Sequence, residues 1–200
     1  NIINWSIKIN NRSLSATVRE YHYPVISIKN PGPPLAVINS ELVSTRIDDL
    51  PEFIKSSFTD YMAPDQKYIR HSAVYPGKSC SLNCFLLDWG RDGFYYGCHD
   101  DSFDMTVHSL EAEKDLINCF MARVPFVVPG QSIHENVITT AFYCGDWMNG
   151  AGIYRKWVDE WFVAPVVPEH IRKMSGWQRV IMHHQYGEYF FRYNDLEKIY

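Results

Sequence analysis

Two groups of polar side chains in this 200-residue chain could bind a polar ligand. The first lies at the end of a strand-like run at residues 177–184 and in the loop after it. It consists of His183, His184, Gln185, Tyr186 and Glu188. All of these side chains can donate or accept hydrogen bonds. Adjacent strand residues point to opposite faces, so at most one of the two histidines should face a given ligand. The alternative is that Tyr186 and one histidine pack beneath a loop while Glu188 is solvated.

The second group follows another strand-like run and consists of His99, Asp100 and Asp101. An imidazole and two carboxylates could hydrogen-bond the hydroxyl groups of a sugar or hold a cation. The alternative is a polar loop that closes a hairpin and needs no ligand. A zinc site made by Cys98, His99 and a third ligand lacks the paired spacing of zinc ligands, so we expect neither a metal nor a cofactor.

Composition and motifs exclude several other functions. The formal net charge is −4, and no broad basic face is visible, so we do not expect nucleic acid as a partner. No stretch approaches the roughly 20 apolar residues that cross a bilayer, so we do not expect membrane insertion. The sequence also contains no G-x-S-x-G motif, phosphate-binding loop or dinucleotide fingerprint.

The cysteines and the chain ends bear on the cellular context. The cysteines are odd in number and widely spaced, which argues against a disulfide framework: Cys80, Cys84, Cys98, Cys119 and Cys144. Thiols that pack as small hydrophobes suit a reducing compartment, so the sequence slightly favours a cytoplasmic location. The chain begins without Met and ends at Tyr200 within what reads as the first turns of a helix. We therefore expect a piece of a longer protein, whose targeting stays open.

The elements that must position these side chains are predicted to be β-strands up to residue 144. Alternation predicts a hairpin between residues 3–9 and 17–28, with Pro24 at a sheet edge or bulge. A strand from Cys80 to Trp89 has apolar residues on both faces and should be central. Later strands are predicted at 94–99, 104–110, 116–124 and 133–143, with a charged turn at 111–114. Successive strands without a helical period predict an antiparallel sandwich.

The hydrophobic period changes from 2 to 3.6 after the last predicted strand. Asp146 is placed to cap a helix that ends before Pro165, and its aromatic face should pack on the sandwich or on a following domain. A β-loop-α step follows, in which Asn194 and Glu197 form a capping-box-like pair. The predicted divisions are a sandwich at 1–144, a helix and linker at 145–174, and an incomplete β-loop-α unit at 175–200, which needs further strands beside it.

Three segments, taken in order, carry a resemblance to a known family: residues 87–100 (LDWGRDGFYYGCHD), 145–157 (GDW leading to IYRKW) and 176–179 (GWQR). They resemble an uncharacterised bacterial family of predicted glycoside hydrolases. Its layout is similar to that of the endo-α-N-acetylgalactosaminidases. The resemblance implies a galactose-mutarotase-like supersandwich, a connecting helix and a (β/α)8 barrel, of which this chain contains only the first βα unit.

The resemblance also implies where carbohydrate binds. If residues 180–184 form the first barrel strand, His183, His184, Gln185, Tyr186 and Glu188 border a sugar pocket at its C-terminal end. The catalytic carboxylates, which must lie about 5 to 10 Å apart across the glycosidic bond, would come from later barrel strands. The expected partners are a carbohydrate and an adjoining barrel domain. The alternative is a stand-alone carbohydrate-binding or scaffolding sandwich without enzymatic activity.

Overall fold

The computed structural model describes residues 1–30, 32, 35–40, 45–50, 52–53, 70–77, 80–113 and 115–176. Within these residues the chain forms eleven β-strands, followed by two helices, α1 (Trp147–Trp161) and α2 (Glu169–Arg172). The strands are β1 (Ile2–Asn10), β2 (Tyr21–His22), β3 (Ile26–Lys29), β4 (Ala36–Asn39), β5 (Thr45–Asp48), β6 (Arg70–Tyr75), β7 (Cys84–Asp88), β8 (Asp92–Cys98), β9 (Thr106–Glu113), β10 (Leu116–Arg123) and β11 (Ser132–Cys144).

The strands form two antiparallel sheets. The first has six strands in the order β1-β11-β8-β7-β4-β5. The second has the order β2-β10-β9-β6, and β3 also pairs with β10. The short strands β2 and β3 pair on the same side of β10, with Pro24 between them. The predicted edge position of Pro24 is confirmed, and it follows from the missing N–H of proline.

A hydrophobic core joins the two sheets. Phe85 and Tyr96 of the first sheet meet Ile117, Cys119 and Met121 of the second, and all five side chains are almost completely buried. The three residues from β10 stand at alternate positions, as a strand with one core-facing side requires. Burial of a large apolar side chain contributes about 1.5–3 kcal/mol to stability. The predicted mainly β architecture is confirmed as a two-layer, sandwich-like arrangement of antiparallel sheets.

The outer face of the first sheet is covered by α1. Tyr154 of this helix packs in a second apolar cluster with Leu86, Tyr95, Ala141 and Tyr143 of the sheet. Strand β7 is therefore covered on both faces, and all five of its residues are buried. Its predicted central position is confirmed because β4 and β8 flank it. The predicted helix is also confirmed, since it spans Trp147–Trp161 and the side chain of its N-cap, Asp146, accepts a hydrogen bond from the backbone of Met148.

The predicted hairpin near the N-terminus is wrong. Strand β1 pairs with β11, whereas β2 and β3 pair with β10 in the other sheet. The side chain of Asn11 explains the difference, because it donates hydrogen bonds to the carbonyls of Ala16 and Val127. These bonds hold the segment after β1 as a crossing between the sheets and not as a tight turn.

Two strand boundaries also differ from the prediction. The strand predicted from Cys80 begins only at Cys84, because the hydroxyl of Ser40, and not a neighbouring strand, satisfies both backbone groups of Leu82. The charged turn predicted at 111–114 is largely strand, since β9 continues to Glu113. Within it the carboxylate of Glu111 accepts two hydrogen bonds from Arg70 of the neighbouring strand, at 2.8 and 2.6 Å.

Contacts divide the chain into two compact units, Asn1–Phe162 and Val163–Tyr200. The strands and α1 belong to the first unit, and α2 belongs to the second. The predicted β-loop-α step at residues 177–200 lies outside the described residues. Among the described residues, no helix is both long enough and apolar enough to span a membrane.

Candidate functional site

His99 follows the last residue of β8 and lies on the outer side of the first sheet, below α1. Its Nε2 atom is 2.7 Å from the hydroxyl oxygen of Tyr95, four residues earlier in the chain. The ring of Tyr95 reaches it by passing over Gly97, where an added Cβ would lie 1.9 Å from that hydroxyl. Glycine is therefore needed at position 97 for the tyrosine to contact His99.

A directed chain of hydrogen bonds fixes the tautomer of His99. The hydroxyl of Thr139 donates its only proton to Oδ1 of Asn4 at 3.0 Å, so it must accept a bond from Nδ1–H of His99, which lies 3.3 Å away. The Nε2 atom then carries no proton and accepts from the hydroxyl of Tyr95. The hydrogen bonds among the described residues leave the amide NH2 group of Asn4 able to donate to a ligand.

Helix α1 brings Trp157 over His99. The two rings are stacked with centroids 4.8 Å apart and planes at 12°. The helix can approach the sheet because residue 150 is glycine, where an added Cβ would lie 2.6 Å from the ring of Tyr143. The hydroxyl of Tyr154 also accepts a hydrogen bond from the backbone N–H of Asn83 at 3.3 Å, which fixes the helix against the strand region.

A cavity of about 310 Å³ lies between the outer face of the first sheet and α1. The sheet side contributes Asn4, His99 and Thr139, which are the hydrogen-bonded polar residues described above, together with Ile2. The helix side contributes an aromatic ring, a cation, a carboxylate and an amide, and its lining residues are Asn149, Gly152, Ile153, Lys156, Trp157 and Glu160. A volume of this order is at the lower end for small-molecule sites.

The electrostatics of this cavity suit binding better than acid–base catalysis. Burial lowers the pKa of His99 to about 4, so the imidazole is neutral near pH 7, and both of its nitrogens are already hydrogen-bonded. Among the described lining residues, Glu160 is the only carboxylate. Hydrolysis of a glycosidic bond normally needs two carboxyl groups on opposite sides of the bond. The described lining residues therefore offer hydrogen-bonding groups for a polar ligand and a single carboxylate.

Asp100 belongs to a different cluster, centred on Arg123 at the end of β10. The buried guanidinium contacts carboxylates of Asp100 at 2.5 Å, Asp104 at 3.2 Å and Glu135 at 3.3 Å. Burial alone would raise the pKa of Asp100, but hydrogen bonds from Ser102 and Arg123 and the positive charge of the arginine outweigh burial and lower it. The hydroxyl of Tyr21 donates to Glu135.

A third polar cluster is entirely buried between the sheets. The Sγ atom of Cys80 lies 3.5 Å from Nδ1 of His108, whose Nε2 lies 2.8 Å from Oδ1 of Asn83. This order of thiol, imidazole and amide resembles a nucleophile with its base and orienting group. Cys80 has no solvent exposure, however, and burial, with a smaller contribution from His71, lowers the pKa of His108 to about 3. All three side chains are buried, so the cluster belongs to the interior of the fold.

Comparison with known proteins gives no relative from which a function could be transferred. No protein-family model matches the chain, and no curated protein matches it.

Within the described part of the chain, no three His, Cys, Asp or Glu side chains are grouped so that they could hold a metal ion, and the cysteines form no disulfide with one another. The function must therefore be inferred from the geometry of the candidate site itself.

The predicted site residues fall into three places. His99 lines the cavity below α1, and Asp100 contacts Arg123 in the other cluster. Asp101, the third member of that group, is exposed. The remaining candidates lie outside the described residues: His183, His184, Gln185, Tyr186 and Glu188. Sequence reasoning missed the partners that the fold brings to the two described residues. The signal available in the sequence was a charged residue at the end of a largely apolar strand, as with Arg123 in β10.

Proposed function

We propose that this chain is the sandwich part of a glycoside hydrolase and that it binds carbohydrate below α1 without cleaving it. The cavity lined by Trp157, His99 and Asn4 is the observation that carries this proposal. A pyranose ring presents C–H groups on its faces and hydroxyls around its edge. An aromatic ring bordered by hydrogen-bonding side chains complements both features.

The wider architecture in this proposal follows the resemblance of the sequence. The two sheets form a supersandwich, α1 is the connecting helix, and residues 175–200 begin a (β/α)8 barrel. The barrel carries the two catalytic carboxylates at the C-terminal ends of its later strands. His183, His184, Gln185, Tyr186 and Glu188 border the sugar pocket of that barrel, which is the partner of the sandwich in the same polypeptide.

The binding half of the proposal is tested with the 200-residue chain and three probes: the methyl glycosides of glucose, galactose and N-acetylgalactosamine. Ligand-observed NMR titration should show millimolar binding of at least one of them. Trp157→Ala should weaken that binding roughly tenfold, since a central tryptophan contributes about 1.4 kcal/mol or more to a binding site. Trp147→Ala is the matched control, because Trp147 lies on the same helix, is 40% exposed and does not line the cavity.

Two outcomes would contradict this half of the proposal. One is the absence of millimolar binding for all three glycosides, and the other is equal affinity in the parent and Trp157→Ala. The non-catalytic half has its own test, incubation of the chain with aryl glycosides, where we expect no turnover. Release of the aryl group at a rate above that of buffer would show that the cleaving groups lie within these 200 residues.

The link to a barrel is tested by the coding sequence downstream of Tyr200. About six to eight further βα units with Asp or Glu at strand ends would support a glycoside hydrolase. A stop codon shortly after Tyr200, together with glycoside binding, would instead support the stand-alone carbohydrate-binding sandwich.

A further inference from the structure

A second cavity, of about 420 Å³, lies beside the Arg123 cluster. Its polar lining residues are Arg123, Asp104 and Glu135, and its apolar lining residues are Met105, Val124, Pro125 and Phe126. None of these residues lines the cavity below α1. The two cavities are therefore separate, and an inference about the second does not depend on the function proposed for the first.

The charges around the second cavity do not balance. One guanidinium faces the carboxylates of Asp100, Asp104 and Glu135, and Tyr21 contributes only a neutral hydroxyl. Among the described lining residues Arg123 is the only basic one. Two of the carboxylates are poorly solvated, since the side chains of Asp100 and Glu135 are 9% and 18% exposed. Excess negative charge in such surroundings favours the binding of a cation.

Two carboxylate oxygens at this cavity can still accept hydrogen bonds. The bonds and ion pairs among the described residues use Oδ2 of Asp104 and Oε2 of Glu135, both directed to Arg123 or Tyr21. The Oδ1 atom of Asp104 and the Oε1 atom of Glu135 therefore remain able to accept from a ligand. Arg123 donates to Asp100, Asp104 and the Sγ atom of Cys98, and its ion pairs with the carboxylates hold these side chains in place.

Phe126 supplies an aromatic wall and is held there against its backbone preference. Its φ angle is +50°, which is a true outlier for a bulky residue, and its side chain is 57% exposed. The neighbouring residue fixes this conformation: Val127 exchanges two 2.9 Å backbone hydrogen bonds with Val18 and accepts a third from Asn11. An exposed aromatic ring beside carboxylates attracts organic cations by its π face.

We propose that this second cavity binds a small organic cation that carries an ammonium group, and an amino sugar with a free amine is the probe that tests it. The ammonium group donates to Glu135 and Asp104, and the body of the ligand packs against Phe126. A neutral sugar lacks the charge that the cavity selects, and an anionic one is repelled by it.

The test compares D-glucosamine with N-acetyl-D-glucosamine, which has the same ring but no charge, by NMR titration of the 200-residue chain at pH 6. Glucosamine should bind in the millimolar range, and the acetylated sugar should bind at least tenfold more weakly, because it cannot form the charge-assisted bonds. Glu135→Gln should weaken glucosamine binding by a similar factor. Asp115→Asn is the matched control, since Asp115 is exposed and does not line the cavity.

A second variant separates binding from folding. Phe126→Gly removes the ring and also relieves the positive φ, so the variant should be at least as stable as the parent yet bind glucosamine about threefold to fivefold more weakly. Equal affinity for the two sugars would overturn the inference, as would unchanged glucosamine binding in Glu135→Gln or the absence of millimolar binding. Trp157→Ala should leave the preference for glucosamine intact, which distinguishes this cavity from the one below α1.

Discussion

Replacement of Arg123 by Met tests the charge arrangement of the second cluster most directly. Methionine keeps an unbranched apolar stem of similar length but removes the guanidinium from three carboxylates. The arginine side chain is 6% exposed, and its closest partner, Asp100, is 9% exposed, so this pair is buried. Loss of one partner from a buried pair leaves an uncompensated charge and costs about 3–5 kcal/mol. Asp104 contributes little to this figure because its side chain is 69% exposed.

The assay is urea unfolding followed by tryptophan fluorescence at pH 7, with thermal unfolding as a second readout. For a chain of this size the expected loss corresponds to a fall in Tm of roughly 6–20 °C. Removing the uncompensated carboxylate charges should restore part of the stability. The triple variant Arg123→Met, Asp100→Asn, Glu135→Gln should therefore be more stable than Arg123→Met alone.

The effect should also depend on pH. Burial alone would raise the pKa of Asp100, but hydrogen bonds from Ser102 and Arg123 and the charge of Arg123 hold it below its ordinary value of about 3.9. A lowered carboxyl pKa stabilises the folded state above that ordinary value, and this stabilisation is lost as the pH falls through the folded-state pKa. The difference between parent and Arg123→Met should therefore shrink at the acid end. A loss below about 1 kcal/mol at pH 7, the range of an exposed pair, would refute the reasoning, as would a loss that does not change below about pH 4.

Three further predictions concern the site below α1. Gly150→Ala should destabilise the protein, because the added Cβ would lie 2.6 Å from the ring of Tyr143. Gly152→Ala on the same helix is the control: its Cβ has nothing within 4 Å, so the free energy of unfolding should rise by about 1 kcal/mol. Urea unfolding of both variants checks this. Gly97→Ala should cost about 1–3 kcal/mol and shift the NMR signals of the His99 ring, since it displaces the tyrosine bonded to that ring. Burial lowers the pKa of His99 to about 4, so protonation of this histidine favours the unfolded chain. The free energy of unfolding should therefore fall as the pH decreases from about 6.5 to 4. His99→Gln should show a smaller fall over the same pH range, measured by urea unfolding.

Local patterns predict individual elements of this protein well because their causes are local. The nearly continuous apolar run of β7 follows from burial on both faces, and the cap at Asp146 needs only the first turn of α1. Strand pairing is not local, and there the prediction failed. By pairing β1 with residues 17–28, the sequence interpretation separated Asn4 from Thr139, although these two residues are hydrogen-bonded across the β1–β11 pair. The cavity below α1 could not be found without that pairing.

The positions of His99 and Asp100 show what the alternation of side chains along extended backbone can and cannot predict. Interpretation of the sequence treated them as one polar group, whereas in the fold His99 stacks on Trp157 outside the first sheet and Asp100 contacts Arg123 of the second sheet. Consecutive residues in extended backbone point to opposite sides. Two adjacent polar residues after a strand therefore predict parts of two different sites. Which residues complete each site depends on long-range pairing, which alternation along one strand does not specify.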